Sequence, residues 1–233
     1  MEMIGQGIVA ALKMLSSGDA ELVRVTLLTL RVAGTATLLS VLVGIPLGVL
    51  LALVRFPGRN FVISLVNMGM GTPPVVAGLV VSILLWRSGP LGRLRLIYTP
   101  TAMVIAQFII ALPLVTGFTL AGIGQLNPKL QDQITALGAS RWQLFWLLIR
   151  EARLSLLAAV IGGFGGVISE VGASTMVGGN ILGKTRVLTT ATVMEVSKGN
   201  FDTAIALSII LMLLIWLVTY ALTRLQQGGA RVR

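Results

Sequence analysis

The chain has 233 residues, 55% hydrophobic and only 11% charged, with a formal net charge of +10. A soluble domain usually holds about 25% charged residues, so water-facing globularity is excluded, and the cationic surplus reads as arginines meeting lipid headgroups rather than nucleic acid. Cysteine and histidine are absent, which excludes disulfides, thiol nucleophiles, histidine bases and most transition-metal sites.

In chain order, residues 1–20 place Met3, Ile4, Ile8, Ala11, Leu12 and Leu15 at helical spacing. Glu2, Lys13 and Asp19 interrupt the stretch, which lacks the compact apolar core of a secretory signal. It is expected to form an interfacial helix rather than a span. Long uncharged runs follow, and a span needs about 20 apolar residues to cross ~30 Å of hydrocarbon. The runs predict five transmembrane helices over roughly 32–54, 61–86, 101–123, 153–171 and 203–223, making one all-α integral membrane domain over 1–233. Pro46, Pro73, Pro74 and Pro113 fall in or at the edge of spans and are expected to bend them. Gly162, Gly163, Gly165 and Gly166 crowd the fourth span. They read as close-packing positions, at a subunit interface or otherwise, with free rotation at a gate as the alternative.

Positive charge does not settle the orientation. With the C-terminus inside, Arg55, Arg59, Lys129, Arg141, Arg150, Arg153, Arg224, Arg231 and Arg233 lie inside, half of the 18 basic residues. Lys13, Arg24, Arg31, Arg87, Arg93, Arg95, Lys184, Arg186 and Lys198 lie outside, and the rule ties. Glu2, Asp19, Glu21, Glu195 and Asp202 on the outer side favour this arrangement slightly.

Between the third and fourth spans, residues 125–150 are amphipathic rather than uniformly apolar. Asn127 before Pro128 is a helix start, a capping side chain followed by a ring with its dihedral preset. Leu130, Ile134 and Leu137 are expected on one face of the helix. Gly138 interrupts it and Ser140 caps a second helix through Arg141 and Phe145. The result is a knob on the membrane surface, read either as a coupling element or as an ordinary interfacial loop helix.

This layout resembles the coupling helix of ABC importer permeases, whose signature is Glu-Ala-Ala, three residues, then Gly. Aligned on Gly138, the signature falls on Asp132, Gln133 and Ile134; the acid is kept and both alanines are replaced. Leu148 to Glu151 reads Leu-Ile-Arg-Glu where Ile-x-Leu-Pro usually follows. The resemblance extends along the chain through Gly44-Ile45-Pro46-Leu47-Gly48, Thr72-Pro73-Pro74, Gly89-Pro90-Leu91-Gly92, Ser169 to Ala173, Gly178 to Ile181 and Thr185 to Thr190. These motifs look like the oxyanion-importing branch, with Arg150 to Arg153 most similar to its tungstate members beside their molybdate relatives.

The resemblance implies a type I ABC importer permease fold, a homodimer, two ATPase subunits and an extracytoplasmic tungstate-binding protein. The chain is expected to carry no Gly-x-x-x-x-Gly-Lys-Ser/Thr loop, hence to hydrolyse nothing, and to bind no cofactor, with ATP and Mg on the partner subunit. Asp132, Ala136, Leu137, Gly138, Ala139, Ser140 and Arg141 would meet that ATPase. The membrane would be a bacterial or archaeal plasma membrane, with the N-terminus outside and the C-terminus cytoplasmic. Lys184 and Arg186, in the glycine-rich outer segment, are candidates for docking the binding protein or for headgroup contact, and Thr192 to Lys198 for a surface helix.

No lysine or arginine lies well inside a span, so a high-affinity anion site at midplane is not expected. Thr72, Pro73, Ser82, Thr116 and Thr119 are candidates for lining a weakly binding passage. Glu170, the acid near the inner end of a span or within it, is either hydrogen-bonded structurally or part of a pore. The rival readings are a permease for molybdate or another oxyanion, an autonomous channel or secondary transporter, and a membrane-embedded enzyme. The last lacks the nucleophile–base pair or metal cluster it needs.

Overall fold

Residues 2–228 are described by a computed structural model and are helical with short connections. Arg231 and Arg233, counted above among the inner cations, lie outside the described residues, as do the side chains of Met3 and Ile4. Three helices are long and apolar enough to span alone: α2 (Ala20–Leu53), α5 (Pro100–Gly124) and α11 (Phe201–Gly228). The chain begins with α1 (Glu2–Ser17), and Asp19, whose carboxylate accepts from Glu21 N at 2.9 Å, caps α2. With 34 residues, α2 is about 51 Å long at 1.5 Å per residue. It therefore starts well before the expected boundary at residue 32, and its charged first turns extend past the hydrocarbon.

The second and fourth apolar runs are each two helices. α3 (Arg59–Gly71) meets α4 (Pro74–Leu85) at 102°. The break follows from Thr72-Pro73-Pro74: each residue before a proline is pushed out of the helical region, and Thr72 and Pro73 are extended with ψ of 126° and 127°. Pro74 then takes the first helical position of α4, where its missing N–H costs nothing. By contrast, α2 and α5 continue through Pro46 and Pro113. α8 (Arg153–Ile168) meets α9 (Gly172–Gly178) at 58°. The remaining helices are α6 (Pro128–Ala136), α7 (Arg141–Glu151) and α10 (Leu188–Ser197).

α5 is the centre of the bundle and packs against α2, α3, α4, α8 and α9. Lipid tails are as apolar as leucine, so close approach at small residues supplies the attraction between helices. A Cβ on Gly48 would stand 2.6 Å from Thr119 Cβ and 2.7 Å from the Thr116 carbonyl oxygen, and one on Gly78 would stand 2.5 Å from Ala173 Cα. Three of the four glycines of α8 also meet α5: Gly162 faces Phe118, Gly163 faces Val115 and Gly166 faces Leu114. Of these three, Gly163 is buried, Gly162 half-buried and Gly166 exposed; Gly165 alone of the four faces open space.

α1 is not a free interfacial helix. It lies along α11, with Gly7 against Ile205 leaving no room for a Cβ and Ala11 buried. At 16 residues it is about 24 Å long, short of a span.

Candidate functional site

The loop 125–150 is built by three local devices. The Asn127 side chain accepts from Lys129 N at 3.0 Å and starts α6. At the far end Gly138 N–H donates to Thr135 O at 3.0 Å and Ala139 N–H to Ile134 O at 3.3 Å. This paired C-cap requires a left-handed residue, and Gly138 supplies φ = +84°. Ser140 then closes a capping box: its hydroxyl accepts from Gln143 N at 3.3 Å, and Gln143 Oε1 accepts from Ser140 N at 2.8 Å.

The loop is anchored below and bare above. Leu130 and Ile134 of α6, with Leu144, Phe145 and Ile149 of α7, pack on a cluster of Val49, Ile123, Leu148, Ala152 and Leu156. That cluster joins the ends of α2, α5 and α8. Leu137 does not share this face. It lies just beyond the last residue of α6 and is 88% exposed. Asp132, Ala136, Gly138, Ser140 and Arg141 are also exposed, and Ala139 is half-buried. A leucine side chain left in water forgoes about 1.5–3 kcal/mol of burial, so the knob presents an uncompensated apolar tip on a rigid, hydrogen-bonded turn.

The passage candidates divide. Thr72 is half-buried and its hydroxyl donates to Met68 O at 2.9 Å, while Pro73 is exposed at the α3–α4 break. Ser82 of α4 has a buried hydroxyl oxygen with no hydrogen-bond partner. Thr116 and Thr119, at 2% and 0% exposure, lie in the α2–α5 seam against Gly44 and Gly48. In this conformation the protomer itself buries both, so neither lines an open passage here.

Glu170 lies in the α8–α9 break, where its Oε1 accepts from Ala173 N at 2.9 Å; its own carbonyl accepts from the Thr189 hydroxyl at 3.1 Å. Sequence reading passed over Gln107, the single amide in the run 101–123. It is 3% exposed, and its Nε2 donates to Ser174 Oγ at 3.1 Å, tying α5 to α9. That isolated amide was the available signal.

The outer segment is more tightly held than its glycine content suggests. Lys184 is exposed, but the Arg186 side chain is only 16% exposed and pairs with Glu21 at 3.4 Å. Arg186 is turned towards the start of α2. α10 starts four residues before the expected surface helix, and its residues Leu188 to Ala191 are buried. Leu188 N donates to Thr29 Oγ1 of α2 at 3.0 Å. Lys198 and Asn200 donate to the Glu195 carboxylate at 2.8 and 2.7 Å. The Lys198 hydrogen bond first, then that of Asn200, holds this carboxyl below its usual range.

One string cuts against the expectation that the chain hydrolyses nothing: Gly178 to Thr185 spells Gly-x-x-x-x-Gly-Lys-Thr. A phosphate-binding loop follows a strand and points free backbone amides at its ligand. Here the string follows helix α9. The amides of Lys184, Thr185 and Arg186 all donate to Ile181 O, at 3.1, 2.9 and 3.0 Å. The Thr185 hydroxyl, fully buried, accepts from Ile181 N and donates to Gly178 O. These donors serve the loop itself, and the string forms no phosphate cradle.

Residues 44–232 match the family described as binding-protein-dependent transport system inner membrane component. The chain is 38% identical over 227 residues to the tungstate uptake system permease protein TupB of Peptoclostridium acidaminophilum, covering 97% of this chain and 100% of that one. It is 40% identical over 210 residues to a probable anion ABC transporter permease protein of Haloferax volcanii, covering 87% and 90%. Its fold resembles an inward-facing structure of the MetNI methionine ABC transporter, with a TM-score of 0.72 at 19% identity over 89% of this chain and 95% of that one.

Proposed function

The chain belongs to the binding-protein-dependent transport system inner membrane components, the permease subunits of ABC importers, and from that premise we propose that it carries tungstate as a homodimer driven by two ATP-hydrolysing partners. The substrate reading is supported by end-to-end similarity to a tungstate uptake permease. It also agrees with spans that hold no lysine or arginine well inside them, Arg24 and Arg31 lying in the N-terminal part of α2: selection then falls to the binding protein, and a weakly binding passage releases its ion readily.

The observation that carries the coupling role is Leu137, 88% exposed beside the left-handed Gly138. An apolar tip on a pinned turn suits a cleft in the ATPase subunit. Because α6 and α7 share one apolar cluster with the ends of α2, α5 and α8, a push on the tip moves those ends together rather than bending a loop. ATP closure would draw two knobs together and turn the passage outward, where the binding protein releases its anion. Hydrolysis on the partner subunit would reset it. With ATPase contact on this loop, and each bent helix pair taken as one of five spans, the C-terminus would lie in the cytoplasm and the N-terminus outside.

Two surfaces support the dimer. α3 has no buried residue, and Phe61, Leu65 and Met68 form an exposed stripe at helical spacing next to the Thr72-Pro73 break. The spanning window of α11 is 17% buried, against 39% for α2 and 44% for α5, which leaves α11 a broad face for lipid or a second copy.

The test is ATP hydrolysis by the chain with its partners in proteoliposomes. Tungstate-loaded binding protein should stimulate it, and Leu137→Asp should abolish the stimulation while the permease alone keeps its thermal stability. If no ATPase co-purifies with the wild-type chain, coupling fails and an autonomous transporter becomes the better account.

A further inference from the structure

An apolar cavity of about 1020 Å³ lies between the end of α2 and the start of α7, at the upper end of the range for small-molecule sites. Its walls are mainly aliphatic residues of α2 on one side and the rings of Trp142, Phe145 and Trp146 on the other. Its polar lining is Arg55, Gln131 and Arg141, with no carboxylate among them. Both arginines are exposed, and neither has an ion-pair partner among the described residues. We propose that this groove holds one anionic glycerophospholipid, its phosphate between Arg55 and Arg141 and an acyl chain along α2.

Three independent features point to this occupant. Depth is the first: α2 ends at Leu53 and Arg55 lies two residues on, after the cap residue Val54, so the groove opens at the boundary where hydrocarbon gives way to headgroups. The second is the aromatic trio. Trp142 stacks on Phe145 at 5.6 Å, and Trp146 meets Trp142 and Phe145 edge-on at 5.8 and 5.7 Å. Despite these contacts Trp142 and Trp146 remain 66% and 52% exposed, an arrangement suited to the interfacial belt, where an indole keeps one edge wet and one face apolar. Charge is the third. Two guanidiniums without counter-ions beside an apolar slot favour a phosphodiester carrying chains over a neutral lipid or an apolar peptide. On α7, Leu144, Phe145 and Ile149 both hold the helix to the bundle and line the groove, while the rings of Trp142 and Trp146 lie outside that apolar cluster. A lipid wedged there would stiffen the seat of the coupling knob. The inference rests on the proposed orientation only for assigning the lipid to the cytoplasmic leaflet.

The complex of permease and ATPase subunits, carrying Trp86→Phe and Trp216→Phe so that Trp142 and Trp146 are the permease's remaining tryptophans, would be placed in vesicles containing brominated phosphatidylglycerol or brominated phosphatidylcholine, with the signal of the ATPase subunits alone subtracted. A basic side chain at an anionic surface is worth about a five-fold change in binding. The phosphatidylglycerol should therefore quench at a several-fold lower mole fraction than the phosphatidylcholine. Arg55→Gln should remove that preference and Arg55→Lys should keep most of it. Leu50→Phe, which narrows the groove beside α2 but leaves both arginines, should weaken quenching by the brominated chains of either lipid. Equal quenching by the two lipids in the unmodified groove would mean ordinary shell lipid and overturn the proposal. Absence of quenching by either would mean that protein covers the groove, and would overturn it equally.

Discussion

Replacing Gly138 by alanine isolates one physical quantity. A Cβ built there meets nothing within 4 Å, so no clash enters; the cost is that of holding a non-glycine residue at φ = +84°. That cost is about 1–2 kcal/mol, a factor of roughly 5–30 in the ratio of correctly turned to wrongly turned knob. The packing of Leu130 and Ile134 lies below the turn and is untouched, so permease stability should scarcely change. ATP hydrolysis stimulated by the loaded binding protein should fall by a comparable factor in proteoliposomes. Asparagine tolerates the left-handed region far better, and Gly138→Asn should retain most of the stimulation. An alanine variant as active as wild type, or an asparagine variant as impaired as the alanine one, would refute the claim that the turn's backbone conformation carries the coupling.

Gly48→Ala drives a methyl into Thr119 and the Thr116 carbonyl; overpacking of this kind costs about 1–3 kcal/mol and should lower the melting temperature in detergent, whereas Gly165→Ala, facing open space, should not. Glu170→Gln keeps an acceptor for Ala173 N and should sustain normal tungstate uptake; loss of uptake in a fully assembled complex would assign the charge itself to the passage. The carboxyl of Glu195 is held below its usual range mainly by Lys198, so its contribution to stability is complete above the unfolded carboxylate value and is lost as pH falls through the lowered folded one. Amide exchange at the α10–α11 junction should therefore rise only under clearly acidic conditions in wild type, and at higher pH in Lys198→Met; an unchanged profile in that variant would remove Lys198 as the cause.

Several features were legible because they rest on local rules. Uncharged runs locate the three long apolar helices and the two bent helix pairs, and Asn127-Pro128, Gly138 and Ser140 set out helix, turn and helix before any tertiary contact is considered. Thr72-Pro73-Pro74 signalled a disturbance, though not a 102° break. The string Gly178 to Thr185 shows the opposite danger: its letters fit a phosphate loop, but its amides are taken by Ile181.

Tertiary structure decided which faces meet. Nothing local announces that Arg186 reaches Glu21, 165 positions away, or that Thr116 and Thr119 are sealed against Gly44 and Gly48 rather than open to a passage. In a soluble helix, polar residues mark the outside and the buried face follows by subtraction. Along α2 and α5 the lipid-facing and protein-facing sides are equally apolar, so composition locates each span but not its rotation. That rotation is set by the close approach of small residues to particular neighbours on other helices, a contact that exists only once the bundle has assembled.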